Sequence, residues 1–148
     1  MEIKDSLDLL DWRNEALARK FSRSQELISE NAHDVWLISR LARIQQEPFL
    51  IFENDLGKIG FVRFDLRENL QDFIISIGIN PMHRGKGFGR LTLNYAIEAC
   101  VNQNPGADYF AEVQKDNFNS IRLFLESGFD EISRDDNFLL LQRTYNPQ

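Results

Sequence analysis

The stretch Pro81-Met82-His83-Arg84-Gly85-Lys86-Gly87-Phe88-Gly89-Arg90 constrains this chain more than any other. It follows Phe73-Ile74-Ile75-Ser76-Ile77-Gly78-Ile79, a run apolar on both faces except for two small residues. Such a run reads as a strand inside a sheet, and Asn80-Pro81 is where it should stop. The next segment, from about Gly89 to Asn102, reads as a helix closed by Asn104-Pro105-Gly106. Glycines in the turn let backbone N–H groups approach an anion, and the helix N-terminus adds partial positive charge. Arg84, Lys86 and Arg90 supply full charges, and no Asp or Glu occurs from Phe73 through Ile97. The segment therefore reads as a phosphate cradle. Its spacing is neither GxxxxGK[ST] nor a GxGxxG opening a βαβ unit, which sets aside a P-loop and a dinucleotide fold.

The cradle stands out against its background. With 17 Lys and Arg against 23 Asp and Glu, the 148 residues carry a formal charge of −6. That field disfavours nucleic acid and anionic membranes as partners, while leaving room for a small polyphosphate at one local site. One cysteine, Cys100, excludes an intrachain disulfide and a multi-cysteine zinc site, and no metal is expected. Without a signal-like or membrane-length apolar run, the expected location is the cytoplasm. The length suits one domain spanning 1–148.

Around the cradle the periodicity alternates between helix and strand. A helix is expected from about Ser6 to Lys20, and a second, capped at Ser29, carries Val35, Trp36, Ile38, Leu41, Ala42 and Ile44 and ends before Pro48. Phe49 to Phe52 and Ile59 to Phe64 read as a hairpin around Asn54-Asp55-Leu56-Gly57. Beyond the cradle helix come a strand at Tyr109 to Val113, a helix at Asn119 to Ser127 with Gly128 at C′, and a strand pair at Phe129 to Ser133 and Phe138 to Arg143. The order is α-α-β-β-β-α-β-α-β-β, a mixed α/β chain.

Two motifs together resemble one family. Arg84-Gly85-Lys86-Gly87-Phe88-Gly89 fits the [QR]-x-x-G-x-[GA] signature of the GCN5-related N-acetyltransferases (GNAT), and Asn117 through Phe129, an Asn-led helix ending in Gly-Phe, resembles their second signature. The resemblance implies a GNAT fold: a mixed, mostly antiparallel central sheet flanked by helices, with a splayed strand pair at the cofactor site. The family usually opens with a strand, and Met1-Glu2-Ile3-Lys4 is barely long enough for one, so that strand is expected to be short or absent.

The resemblance also assigns roles. Acetyl-CoA would be the co-substrate, its pyrophosphate on the amides of Gly85, Lys86, Gly87, Phe88, Gly89 and Arg90, with Arg84 assisting. Ile79 would contact the pantetheine arm, and the Ile77 amide would point at the acetyl carbonyl, stabilising charge that grows there when a neutral amine attacks. Asn117 would touch the cofactor or cap its helix. Phe124 stands where many relatives have a proton-donating Tyr; a phenyl ring lines the slot but gives no proton. The face shared by Phe73, Ile75 and Ile77, where other relatives carry a carboxylate base, is apolar. Glu112 and His33 are then the candidates for proton extraction, and His83 for a phosphate contact.

The acceptor should be encoded in the leading helices. Leu10-Asp11-Trp12-Arg13-Asn14-Glu15, with Arg19 and Ile28-Ser29-x-x-x-His33-x-x-Trp36, resembles the subgroup that acetylates nucleotide-linked amino sugars, including the UDP-linked 4-amino sugar acetyltransferases of nonulosonic-acid biosynthesis. Trp12 would stack on a base or sugar, Arg13 or Arg19 would pair with a diphosphate, and Asn14 belongs to the same element. The alternative is Trp12 in the core and the arginines at the surface. Peptide α-amines and small polyamines remain as acceptors within the same chemistry, and an acyl-CoA-binding module without catalysis remains as another class. The assembly expected is a monomer or homodimer.

Overall fold

The computed structural model describes residues 1–145. Helices α1 (Ser6–Asn14), α2 (Ala16–Lys20) and α3 (Glu30–Leu41) lead into strands β1 (Phe49–Asn54), β2 (Gly57–Leu66) and β3 (Phe73–Ile79). Then come α4 (Phe88–Gln103), β4 (Tyr109–Gln114), α5 (Phe118–Glu126), β5 (Asp130–Arg134) and β6 (Phe138–Arg143). The six strands form one sheet in the order β1-β2-β3-β4-β6-β5, antiparallel except where β3 runs parallel to β4. This is the mixed α/β sheet that the two motifs imply.

Alternation along the strands sends one set of apolar side chains to each face. Val62, Phe64, Phe73, Ile75, Tyr109, Ala111, Val113, Leu139 and Leu141 pack with Leu93, Ala96, Ile97 and Cys100 of α4 and Phe124 of α5. The opposite face meets Leu9 and Trp12 of α1 and Leu37 of α3 through Phe49 and Phe61. Each core is closed by edge-on aromatic contacts, such as Phe64 on Phe73 and Phe49 on Phe61. A buried ionic group locks α3 to the sheet: Arg40 donates to the carbonyls of Glu47 and Phe64 and lies 3.2 Å from Asp65 and 3.5 Å from Glu47.

The structure corrects the sequence reading in the first helix. The helix expected over Ser6–Lys20 is two helices, because Glu15 is extended (φ −61°, ψ 141°) and its carboxylate accepts from the Ala18 amide to cap α2. In keeping with a first strand expected to be short or absent, no strand precedes α1 among the described residues; Ile3–Asp5 is a short 3-10 turn. That turn is tied down by Lys58 of β2, which lies 3.0 Å from the buried Asp5 and 2.6 Å from Asp8. The expected cap at Ser29 is present, its hydroxyl accepting from Ala32. Gly128 takes φ 83° just past α5, where the Phe129 amide returns to the Phe124 carbonyl.

Candidate active site

Strands β3 and β4 pair only at Phe73–Tyr109 and Ile74–Phe110, and beyond these residues they separate. The Phe73 N–H donates to the Asp108 carbonyl on the β4 side, whereas the Asn80 N–H donates to Ile59 on the β2 side. Strand alternation therefore directs the N–H groups of Ile75, Ile77 and Ile79 toward β4, and those of Ile77 and Ile79 lie past the last bridge. Ser76 through Ile79 are half-buried although β3 is central, so a polar, open-sided gap runs down the middle of the sheet.

The glycine segment closes one end of this gap. After the 3-10 turn Pro81–His83, Gly85 and Gly87 adopt left-handed backbone (φ 75° and 83°), which favours glycine. Gly87 is the N-cap of α4 and offers no side-chain acceptor, so the first-turn amides of Phe88, Gly89 and Arg90 have no capping partner. A Cβ on Gly85 or Gly87 would meet nothing within 4 Å, so both sit at an open surface. On Gly89 it would make ordinary contacts, 3.5 Å from Leu123 and 3.8 Å from Ile79, so this position lies against α5 and β3. Lys86 and Arg90 are exposed, Arg84 half-buried. Uncapped amides, a helix dipole and three cations together suit a pyrophosphate. Arg84 is engaged: it donates to Glu15 at 2.9 Å. Burial alone would raise the Glu15 pKa, but Arg84 and the capping amides lower it overall, keeping it anionic at neutral pH. His83 is buried edge-on against Phe88 and shapes the loop from beneath.

The second motif lies on the α4 side. Asn117 caps α5, its side-chain oxygen accepting from Ser120 at 3.3 Å. Phe124 is buried and packs edge-on against Phe129 at 5.0 Å between ring centroids.

On the face covered by α1 and α3, the candidates for acceptor binding separate into three roles. Trp12 is 8% exposed within the apolar cluster of Leu9, Leu37, Phe49 and Phe61, so its ring is a core element without a face to offer a ligand. Asn14 and Arg19 are staples: Asn14 exchanges two 2.8 Å hydrogen bonds with the Ile28 backbone, and Arg19 donates to the carbonyls of Asn14 and Gln25. They fix the chain between α2 and α3. Arg13 stacks its guanidinium 4.1 Å above Trp36. His33 is fully buried, and its Nδ1 lies 3.2 Å from Arg13 Nη1. Burial first, then the Arg13 charge, lower its pKa, so the ring is neutral and accepts from Arg13. Glu112 lies on the same sheet face, partly exposed, and is held by Arg23 from the α2–α3 segment, whose Nε donates to it at 3.0 Å. Sequence reasoning did not single out Arg63, Ser76 or Arg23; only strand register and the loop path bring them to this face.

Residues 8–129 match the acetyltransferase (GNAT) family. The chain belongs to the GNAT acetyltransferase family. It is thus an acetyl-CoA-dependent acetyltransferase, and the cradle chemistry above fits that donor. Several solved structures share the fold. The ribosomal-protein-alanine N-acetyltransferase of Brucella melitensis superposes with a TM-score of 0.82 at 21% identity, over 97% of this chain and 96% of that one. The spermidine N-acetyltransferase of Vibrio cholerae, in complex with CoA and spermine, gives 0.83 at 19% identity, over 97% and 92%. The protein yncA of Salmonella typhimurium, solved with its cofactor acetyl-CoA, gives 0.80 at 18% identity, over 100% and 92%. No curated protein sequence matches the chain significantly. No helix among the described residues is long and apolar enough to cross a membrane, and no cluster of His, Cys, Asp or Glu among them forms a metal site.

Proposed function

We propose that this acetyltransferase acts on the primary amine of a nucleotide-linked amino sugar, by direct attack of the neutral amine on the thioester. The observation that carries the chemistry is the gap beyond Ile74 and Phe110, with the Ile77 N–H turned into it and the uncapped α4 N-terminus at its end. Bound acetyl-CoA supplies the activated acyl group. The amides from Gly85 to Arg90, with Arg84, hold its phosphates, Ile79 lies along the gap, and Asn117 and Phe124 border the site from the α5 side. The Ile77 N–H is a fixed donor for negative charge on the thioester oxygen, an effect worth a few kcal/mol in a water-poor slot. Side-chain replacement at Ile77 leaves that donor in place.

Proton handling falls to the acceptor face. Glu112, partly exposed there, is the base candidate, acting directly or through water once Arg23 shifts. His33, expected as a second base, is sealed from solvent with its Nδ1 engaged by Arg13, so it positions Arg13 and takes no proton from the acceptor. Phe124 offers no proton, so the thiolate leaves unaided or takes one from water.

The acceptor assignment rests on the Leu10–Glu15 stretch together with its Arg13, whose guanidinium stacks on Trp36. We place the chain in the cytoplasm as a single domain, monomeric or homodimeric; its lone cysteine is buried and unpaired. The test is thiol release from acetyl-CoA with UDP-linked 4-amino sugars, free amino sugars, N-terminal peptides and spermidine. Preferential turnover of the nucleotide-linked amine is expected. Acetyl-CoA binding without turnover on any amine would instead indicate an acyl-CoA-binding module, the reading that Phe124 favours.

A further inference from the structure

One indole carries two guanidinium groups. Arg13 lies 4.1 Å and Arg63 5.4 Å from the ring centroid of Trp36, a half-buried residue of α3. Arg63 also donates to the Ser76 hydroxyl at 3.2 Å, and Ser76 immediately precedes Ile77 on the edge of the gap. The pair therefore flanks the reacting end of the site from the face opposite α4.

The charges around this pair do not balance. Arg63 has a carboxylate, Asp65 at 2.8 Å, but Asp65 also serves the buried Arg40. Asp34, one residue from His33, accepts from the Ser6 hydroxyl at 2.6 Å. Arg13 has no carboxylate within ion-pair distance among the described residues; its one side-chain polar contact is the neutral His33 ring. Burial, then repulsion from Arg63, pull its pKa down to about 10. It remains a cation at neutral pH, held where its charge is under-solvated. A planar fork of donors with open valences, stacked on an aromatic and beside a second guanidinium, matches an oxyanion better than any other group.

We propose that Arg13 and Arg63, seated on Trp36, form a clamp for an oxyanion group, phosphate or carboxylate, carried by the acceptor amine. This rests on the acetyltransfer reading for its placement, because Ser76 ties the clamp to the gap. The clamp selects anionic acceptors and repels polyamines, and His33 is a positioning residue that holds Arg13 on the indole. It adds Arg63 and Trp36 to the acceptor site.

The test titrates UDP, inorganic pyrophosphate, succinate and spermidine into protein saturated with coenzyme A, by calorimetry. Coenzyme A affinity is measured separately, and thermal unfolding checks that Arg13→Gln and Arg63→Gln are folded. Expected is one-to-one binding of UDP and pyrophosphate, weakened tenfold or more by either substitution, with coenzyme A affinity unchanged and no spermidine isotherm. Succinate binding with the same arginine dependence, in place of the phosphates, would support the clamp and assign it to a carboxylate. Absence of all three anions, anion binding indifferent to both substitutions, or spermidine binding the wild type as well as the anions do, would overturn it. Arginine-dependent anion binding in protein that fails to bind coenzyme A would leave the clamp standing and sink the cradle. Should either variant fail to fold, the wild-type comparison of pyrophosphate with spermidine decides.

Discussion

Glu15 restrains the cradle, and releasing it should tighten coenzyme A binding. Its carboxylate does two jobs, accepting from Arg84 at 2.9 Å and from the Ala18 amide at 3.1 Å. Glu15→Gln keeps an oxygen for the Ala18 cap and removes the charge that holds Arg84. The pair is about one-third exposed on each side, so its worth is that of a surface ion pair, about 0.2–1 kcal/mol. Returning that energy to Arg84 should lower the Kd for coenzyme A by up to about fivefold at low salt, and less as ionic strength rises. The sign with pH follows from the depressed Glu15 pKa: the restraint is present above the ordinary carboxylate range and is lost as pH falls through the lowered value. Calorimetric titration of wild type, Glu15→Gln, Arg84→Ala and the double variant measures this directly. Arg84→Ala should weaken binding, and Glu15→Gln should have no effect in that background. A Glu15→Gln gain that persists without Arg84, or no gain at all, would mean that Glu15 does not restrain the cradle through Arg84.

Three further outcomes concern stability. A Cβ on Gly60 would sit 2.4 Å from the Gly78 carbonyl, a backbone atom that cannot swing aside, so Gly60→Ala should cost about 1–3 kcal/mol in urea unfolding. Arg40→Ala leaves the Glu47 and Phe64 carbonyls unpaired and the buried Glu47 carboxylate with only the exposed Arg43 as its charge partner, for a loss of about 3–5 kcal/mol; an effect below about 1 kcal/mol would mean the buried charges are not coupled. In Asp5, burial raises the pKa, but Lys58 and the Glu2 amide outweigh it and lower it overall, while Lys58 is pushed up to about 12. Their contribution should be full between the unfolded carboxylate and lysine values, fall away as pH drops through the depressed Asp5 pKa, and fall away again as pH rises through about 12. Lys58→Met should flatten the acid limb of the midpoint-versus-pH curve.

The cofactor side was legible in the sequence because its signals are local. The buried strand, the glycine turn and the start of α4 are contiguous, so Phe73 to Arg90 could be read as one device, and each strand was placed to within a few residues. The break at Glu15 escaped because nothing around it is a helix breaker; a carboxylate that caps the next helix is visible only once Ala18 is seen to donate to it. The acceptor face was legible only in part, since its chemistry comes from residues far apart in sequence. Trp12 and Trp36 look alike in the chain, yet the first fills the core against Phe49 and Phe61 while the second carries two arginines. Arg63 reaches Ser76 because antiparallel register sets them opposite each other, and Arg23 reaches Glu112 across 89 residues. Long-range pairings of this kind leave no periodic trace.

The most direct test of the site as a whole is the backbone amide spectrum of labelled protein during titration with coenzyme A. The largest shifts should cluster at Gly85 to Arg90 and at Ile77 and Ile79, with Ile75 less affected and β5 unmoved. Shifts confined to other surfaces, with the α4 N-terminus and the β3 gap unchanged at saturation, would contradict it.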